Sequence, residues 1–427
     1  PLMRYNEEWQ KSVPKNGFRH SSIILCRLSA AGKEAGTNRQ FMPKNGFRHS
    51  SIIICRLSAA GKEVGLKEIY GVRLNRVCEE LQKMGLSQMI VSDPLSIWYL
   101  TGVWVQPYER LYALYVRTDG KHCFFLNNLF VIPEVDLDKI WMSDTDDCTG
   151  IVASHIAAYG EKEPVGIDKS WSAGFLLGLM ERNPEAKYVN ASCCVDRVRS
   201  IKDTYEQEKM RESSRINDAC MEKIAAFVKE GMTEKECADQ VRALYKEEGC
   251  PEGFDTILSF GANAADPHHE PDDTCLKAGD CIVIDMGCVK DGYCSDMTRT
   301  FFCKEAPEEY AAIHDLVRRA NEKAESIIKP GVRFCDIDKA ARDLITEAGY
   351  GPYFNHRLGH SIGLQDHEPG DVSSANTACV EEGMTFSIEP GVYLPGKFGV
   401  RVEDLVLVTR DGCEVLNQVD KHWKVIG

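Results

Sequence analysis

The pattern of apolar and polar residues changes near Val198, which divides the chain into two parts. Before Val198, short strand-like runs such as QMIVSD and PVGID alternate with stretches in which apolar residues recur at helical spacing. One such stretch, residues 67–84, stops at a glycine, which is typical of a helix end. The turn signal Asp119–Gly120 between two apolar runs predicts a β-hairpin. This alternation predicts an α/β domain over residues 67–196.

After Val198 the chain predicts two helices, then strands and turns, then two more helices and further strands. Capping boxes at Thr204–Gln207 and Thr233–Glu236 open the first two helices, and the other two are predicted over 307–328 and 336–348. The repeated order predicts two similar halves that face each other across a cleft, where a site is expected. This region, residues 197–427, gives the chain an α+β class.

A near-exact repeat occupies the start of the chain. Residues 14–34 recur as residues 43–63 and differ only at Leu25, which is replaced by Ile54. Folds built from repeats need about three units and tolerate differences between them, so a recent duplication, or an error in the gene model or its assembly, explains this pair better. Residues 1–66 are therefore predicted to be a duplicated extension without a role in function.

Composition and charge exclude several classes of protein. The 427 residues are 43% hydrophobic, in the ordinary range for a globular chain. A net charge of -14 argues against a nucleic-acid surface. We expect no membrane span, since no apolar run reaches about 18 residues. The 18 cysteines show no paired metal-type spacing, which indicates reduced thiols and a cytoplasmic location.

Two aspartates lie within strand-like sequence at residues 281–302, although aspartate is depleted in strands. If Asp291–Gly292 forms the two-residue turn, Asp285 faces Thr298, and Asp296 is its diagonal neighbour on the same face. Two carboxylates so close repel each other unless a cation lies between them. This pair therefore predicts a metal site.

Three further segments add one imidazole and two carboxylates to this pair. His360 and His367 lie among glycines and apolar residues in HRLGHSIGLQDHEPG, while Glu389 and Glu403 each interrupt apolar strand-like sequence. A buried carboxylate without a partner costs several kcal/mol, so each glutamate requires an explanation. Four carboxylates, one imidazole and no thiolate suit manganese or a similar ion better than structural zinc.

Other polar residues near these segments have more than one interpretation. His268 and His269 lie in a loop rich in glycine and proline, and His269 is interpreted as a solvent-exposed loop residue. Arg401 lies two residues before Glu403, on the same strand face. It could pair with a carboxylate of the cluster, or it could bind a carboxylate of the substrate through its planar fork. His356 is left as an outer neighbour of the site.

The ordered motifs DMG, DMTRT, RLGHSIGL followed by HE, SIEPG and GVRVED resemble the prolidase and aminopeptidase P branch of the pita-bread metallopeptidases. The resemblance covers about residues 67–427. It implies a C-terminal pita-bread (creatinase/aminopeptidase) domain over 197–427 and an N-terminal creatinase-like α/β domain over 67–196.

The resemblance also implies a role for each residue of the motifs. The metal ligands would be Asp285, Asp296, His360, Glu389 and Glu403, with Asp296 and Glu403 bridging two divalent ions. Manganese is expected, with cobalt, zinc or iron as alternatives. His268 and His367 would contact the substrate and stabilise developing charge, Glu389 would carry a proton, and Arg401 would lie near the substrate carboxylate.

The activity implied is hydrolysis of the bond preceding proline in dipeptides or short peptides, by a water that the two metals activate. The partners expected are short proline-containing peptides and a second copy of the chain in a homodimer, with no nucleic acid and no membrane. Two alternatives stay open, namely another metal-dependent hydrolase or lyase on the same fold, and a catalytically silent binding domain.

The duplication generates a first prediction about the extension. A chain that begins at Leu66 is expected to fold and to keep the full activity of the longer chain, because the repeated segments belong to no predicted core. Circular dichroism and steady-state kinetics on both chains provide the measurement. Aggregation of the shorter chain, or loss of most of its turnover, would show that the extension belongs to the fold.

Overall fold

The structure, a computed structural model, describes residues 55–56, 63–160 and 163–427. The extension predicted over residues 1–66 lies mostly outside these residues. Only its last part is described, as two short strands that pair in antiparallel fashion, β1 (Cys55–Arg56) and β2 (Glu63–Val64).

The first part of the chain after these strands is an α/β unit in which helices and strands alternate. Its elements are α1 (Leu66–Lys83), β3 (Gln88–Val91), α2 (Pro94–Thr101), β4 (Ala113–Arg117), β5 (Cys123–Asn127), β6 (Asp138–Met142), α3 (Cys148–Ala157), β7 (Val165–Ile167), α4 (Ala173–Arg182), β8 (Tyr188–Asn190) and α5 (Ser192–Ser200). The six strands form one sheet in the order β6-β5-β4-β3-β7-β8. The hairpin predicted at Asp119–Gly120 is confirmed, since β4 and β5 pair in antiparallel fashion around it.

The second part contains four helices and two larger sheets. Its elements are α6 (Thr204–Phe227), α7 (Glu234–Glu247), β9 (Ile257–Phe260), β10 (Cys281–Met286), β11 (Val289–Lys290), β12 (Tyr293–Cys294), β13 (Met297–Cys303), α8 (Glu308–Glu325), α9 (Phe334–Glu347), β14 (Gly359–Ser361), β15 (Glu368–Val372), β16 (Thr385–Ile388), β17 (Gly391–Leu394), β18 (Phe398–Arg401), β19 (Asp404–Val408), β20 (Cys413–Val415) and β21 (Val425–Ile426). Short 3₁₀ turns lie at Gly261–Ala265 and Gly351–Tyr353.

Each pair of helices in this second part packs on its own sheet, as the repeated order of elements predicts. Helices α6 and α7 share a buried apolar cluster with β9, β10 and β13, whose sheet has the order β21-β13-β10-β9. Helices α8 and α9 share another with β15, β16 and β19, in the sheet β15-β14-β16-β19-β20. The hairpin of β17 and β18 forms a separate two-stranded sheet.

The helix starts test the two predicted capping boxes. The box at Thr233–Glu236 is confirmed, because each side chain bonds to the backbone N–H of the other residue. The box predicted at Thr204–Gln207 is wrong by one residue. Asp203 is the N-cap of α6 and forms the box with Glu206. A second contact favours Asp203 over Thr204, since its carboxylate also accepts a hydrogen bond from the guanidinium of Arg73 at 2.8 Å.

A buried ion-pair cluster joins the two parts of the chain. The carboxylate of Glu368 on β15 accepts hydrogen bonds from Arg199 at 2.6 Å and from Lys202 at 2.9 Å. Arg199 also donates to the hydroxyl of Ser96 on α2. Burial alone would raise the pKa of Glu368, but the charges of Lys202 and Arg199 outweigh it and lower the pKa to about 2. The glutamate is therefore ionised at every pH above about 2.

This cluster generates a prediction about stability. Because Glu368→Gln leaves the buried Lys202 without its counter-charge, and Arg199 with only the more distant carboxylate of Asp93 at 3.7 Å, it is expected to lower the free energy of unfolding at pH 7 by about 3–5 kcal/mol. The folded pKa lies below the unfolded value of 4.5, so the stability from ionisation is present above pH 4.5 and is lost as the pH falls towards 2. Urea unfolding of both chains between pH 3 and 7 measures the difference.

A matched control is the exposed ion pair of Lys339 and Asp343 on α9. Its removal in Asp343→Asn is expected to change the free energy of unfolding by less than about 1 kcal/mol. The cluster does not stabilise the junction if Glu368→Gln lowers the free energy of unfolding no more than this control does. The same conclusion follows if the free energy of unfolding of Glu368→Gln falls between pH 7 and 3 as steeply as that of the unchanged protein.

Candidate metal centre

The hairpin that runs from β10 to β13 carries both aspartates. Asp285 pairs with Thr298 across the ladder, and the turn at Asp291–Gly292 has φ values of 50° and 93°. These left-handed values are those of a two-residue turn that matches the twist of its strands. The predicted turn and the predicted pairing of Asp285 are therefore confirmed.

Asp296 lies at an interruption of the same ladder, between β12 and β13. A Cβ atom on Gly287, the residue opposite, would collide with the carbonyl oxygen of Ser295 and press on the ring of Phe254. The two strands can approach here only because position 287 has no side chain. Asp296 and Asp285 consequently line the same cavity.

His360, on strand β14, faces this aspartate pair. Its Nδ1 lies 3.2 Å from the carbonyl oxygen of Ser361, which fixes the ring. Its Nε2 then lies 3.6 Å from Asp296 Oδ2 and 3.6 Å from Glu389 Oε1. Burial and the charge of His367 lower the pKa of His360 to about 3. The imidazole is therefore neutral at pH 7, which is the form that binds metals.

Glu389 and Glu403 complete the cluster from the ends of β16 and β18. The hydroxyl of Ser387 donates to Glu389 at 3.2 Å, and that of Thr298 donates to Glu403 at 2.6 Å. Atoms of Asp296, His360 and Glu403 that could bind an ion all lie within 4.8 Å of one another. The structure thus brings all five predicted ligand residues into one cavity.

The electrostatics of the cluster show that its charge is incompletely balanced. Burial raises the pKa of Asp296 and of Glu403 well above the usual range, and the neighbouring carboxylates raise both further. Burial also raises the pKa of Glu389 to about 7, despite the opposing charge of Arg401. Asp285 Oδ1 and Asp296 Oδ1 are buried without a hydrogen-bond partner among the described residues. Unpartnered oxygens beside a neutral imidazole are a donor set that fits divalent cations.

Arg401 provides the guanidinium closest to the cluster and is buried. Its Nη2 donates to Asp285 at 2.7 Å, its Nη1 to the hydroxyl of Tyr393 and to the carbonyl of Pro267, and its Nε to the hydroxyl of Thr298. Four of the five N–H groups of the guanidinium are thus engaged within the protein. Of the two roles considered for Arg401, this geometry matches the ion-pair partner.

Glu234 holds the loop that carries His268 in place, and the sequence analysis did not identify this residue. Glu234, at the start of α7, is buried and accepts hydrogen bonds from the backbone of Phe260 and Asp272 and from the side chain of Asn263. It also contacts His269 Nε2 at 2.8 Å. The interpretation of His269 as a solvent-exposed loop residue is therefore wrong. The only signal for this role in the sequence was the position of Glu234 inside the predicted capping box Thr233–Glu236.

The remaining predicted residues line the cavity of about 560 Å3 around the carboxylates. His268 is exposed at its edge, and the ring of His367 lies 3.9 Å from that of His360. Arg357 Nη2 donates to His367 Nδ1 at 3.3 Å, so the proton of the neutral His367 ring is on Nε2. His356 contacts the hydroxyl of Tyr393 at 3.1 Å, and this hydroxyl accepts a hydrogen bond from Arg401.

Comparison with protein families gives two matches along the chain. The model of metallopeptidase family M24 matches residues 208–410, and the model of the creatinase/prolidase N-terminal domain matches residues 73–201. In the part of the chain that the structure describes, no helix is long and apolar enough to cross a membrane.

Individual proteins are similar over nearly their whole length. An uncharacterized peptidase of Staphylococcus aureus strain MSSA476 is 35% identical over 363 residues, which are 82% of this chain and 99% of that protein. The crystal structure of a dipeptidase from Pyrococcus horikoshii OT3 matches with a TM-score of 0.78 and 32% identity, over 83% of this chain and all of that one. A prolidase from Thermococcus sibiricus matches with a TM-score of 0.77 and 30% identity, over 84% and 99% of the two chains. These comparisons confirm the expected resemblance and the expected fold class.

The geometry of the cluster generates a prediction about metal content. Asp296→Ala and Glu403→Ala are each expected to remove more bound manganese than Asp285→Asn, because the resemblance implies that these two carboxylates would serve both ions. Elemental analysis after manganese loading and gel filtration gives the ions per chain, independently of activity. Equal losses in the three variants would contradict the assignment of the bridges.

The control is Asp272→Asn, in the second acidic group of the described residues, formed by Glu234, His269 and Asp272. Hydrogen bonds from the protein already engage both oxygens of Glu234, so this group is not expected to hold an ion. The control should therefore keep the manganese content of the unchanged protein.

Proposed function

The chain belongs to metallopeptidase family M24, and from this premise we propose that it hydrolyses the peptide bond preceding proline in dipeptides or short peptides. The single observation that carries the proposal is the buried cluster of four carboxylates and a neutral imidazole in one cavity. A prolidase and a dipeptidase among the similar structures support the substrate class.

The five residues of the cluster would hold two divalent cations, as the resemblance implies. Their oxygen-rich donor set favours manganese over ions that prefer sulfur ligands. Two cations in such a site supply a water of lowered pKa and polarise the carbonyl of the peptide bond. The homodimeric state and the cytoplasmic location expected from the sequence stay predictions.

The proposed roles of the other residues follow from their positions. His367 accepts a hydrogen bond from Arg357 at Nδ1, so its Nε2–H can donate to an oxygen that gains negative charge. His268 reaches the same cavity from the loop that Glu234 fastens. Glu389 lines the same cavity, so its carboxylate can take a proton and deliver it to the leaving nitrogen.

Selection for proline follows from the chemistry of its nitrogen. A proline nitrogen in a peptide bond carries no N–H group, so its site needs no acceptor at this position. An ordinary peptide nitrogen that is buried without an acceptor loses about 1–3 kcal/mol. A cavity wall that accommodates the ring and offers no acceptor would therefore discriminate against other residues.

The proposal generates a prediction about turnover. The manganese-loaded protein is expected to cleave Ala-Pro and Gly-Pro at least about tenfold faster than Ala-Ala, which corresponds to 1.4 kcal/mol or more. Chelation should abolish turnover, and manganese or cobalt should restore it. Steady-state kcat/KM with product identification by chromatography gives the measurement. Products other than the two free amino acids would favour the lyase or another hydrolase, and no turnover would favour a silent binding domain.

A variant and its control test whether the cavity performs the reaction. His367→Ala is expected to lower kcat for Ala-Pro by about 10²–10³, the usual effect of losing a donor to a developing oxyanion. His422→Ala changes an exposed histidine outside the cavity and should leave kcat unchanged. Equal kcat values in the two variants would remove His367 from the proposed reaction.

A further inference from the structure

Arg357 is a cation of the catalytic cavity that no role described so far explains. It lines the cavity together with Glu389 and Arg401 and is half-buried. Its guanidinium makes one contact, to His367 Nδ1, through Nη2. No carboxylate of the described residues lies within 4.0 Å of its nitrogens. Most of its donors thus face the cavity without a protein acceptor.

The contrast with Arg401 shows which of the two arginines can bind a ligand. Arg401 uses four donors on Asp285, Thr298, Tyr393 and Pro267 and is 3% exposed. A substrate carboxylate could reach it only by displacing Asp285. Arg357 has no ion pair with a described carboxylate, so it can donate to a substrate carboxylate without breaking one.

The position of Arg357 fixes how far from the reacting bond a carboxylate would lie. Its Nη2 is 3.3 Å from His367, whose ring lies 3.9 Å from the ring of His360 in the carboxylate cluster. Arg357 is therefore two side-chain contacts from the cluster. A dipeptide carries its terminal carboxylate on the residue just beyond the cleaved bond, and each added residue moves it about 3.3–3.6 Å further away.

We propose that Arg357 binds the C-terminal carboxylate of a dipeptide substrate and thereby makes the enzyme a dipeptidase. This inference rests on the proposed hydrolysis of bonds preceding proline and names the residue that sets substrate length. The planar fork of the guanidinium matches a carboxylate in two parallel hydrogen bonds. Its contact with His367 places the bound carboxylate beside the group that faces the cleaved carbonyl.

The test compares a substrate that has the carboxylate with one that lacks it. Arg357→Gln is expected to lower kcat/KM for Ala-Pro by about 10- to 100-fold, mainly through KM, as for the loss of a hydrogen-bonded charge. For Ala-Pro amide, which has no terminal charge, the same variant should lose only what its contact with His367 contributes, so the ratio of kcat/KM for Ala-Pro to that for Ala-Pro amide should fall by about tenfold or more. Arg357→Lys should recover part of the loss on Ala-Pro, because it restores the charge without the fork.

Two controls keep the result unambiguous. Arg319→Gln removes an exposed arginine of α8 outside the cavity and should leave both substrates unaffected. The manganese content of Arg357→Gln should equal that of the unchanged protein, since Arg357 is not one of the five proposed ligands. A lower content would show that the variant damages the metal centre, and the assignment to substrate binding would be withdrawn.

Three outcomes would overturn the inference. If Arg357→Gln lowers kcat/KM by the same factor for Ala-Pro and for Ala-Pro amide, Arg357 acts on the cleaved carbonyl or through His367 instead. If the unchanged protein prefers Ala-Pro amide or Ala-Pro-Ala to Ala-Pro, the carboxylate of a dipeptide is not recognised. A protein that turns over none of the three substrates with manganese or cobalt overturns the proposed function itself, and this inference with it.

Discussion

Repulsion among four carboxylates in one buried cavity is the constraint on which the rest of this structure depends. Two unit charges 4 Å apart interact by about 4 kcal/mol near a protein surface, and by more in the interior. Arg401 compensates only one of the four directly, through Asp285. Burial raises the pKa values of Asp296, Glu389 and Glu403, and the neighbouring carboxylates raise them further. Bound cations are the natural way to relieve this repulsion.

The surrounding strands hold these carboxylates together against that repulsion. Gly287 allows the strands of the aspartate hairpin to close, and Gly359 does the same where His360 meets β16, since a Cβ atom at 359 would collide with the carbonyl of Ser387. Thr298 and Ser387 each donate a hydroxyl to a glutamate of the cluster. The strands and these hydrogen bonds therefore hold the carboxylates in place without an ion.

Local signals in the sequence predicted the elements and the centre of the site, while contacts between distant segments escaped prediction. The turn at Asp291–Gly292 sets the pairing of Asp285, because a two-residue turn fixes the register of its strands. No such rule links Glu234 to His269, which meet through tertiary packing across 35 positions of sequence. The cap of α6 was misplaced by one residue although Asp203 and Glu206 also have the spacing of a capping box, and the contact from Arg73, 130 positions away, left no local signal. Residue types predicted which groups the structure brings together in one cavity, but not which arginine lacks a carboxylate partner among the described residues.

The buried pairing of Glu368 explains why the N-terminal part of the chain matters to a site that it does not line. Glu368 directly follows His367, and its carboxylate is held by Arg199 of α5 and by Lys202. Arg199 in turn bonds to Ser96 of α2, deep within the N-terminal part. The backbone that carries His367 is thus fixed from one side by Glu368, while Arg357 fixes its ring from the other. The orientation of a histidine facing the cavity therefore depends on contacts that cross between the two parts of the chain.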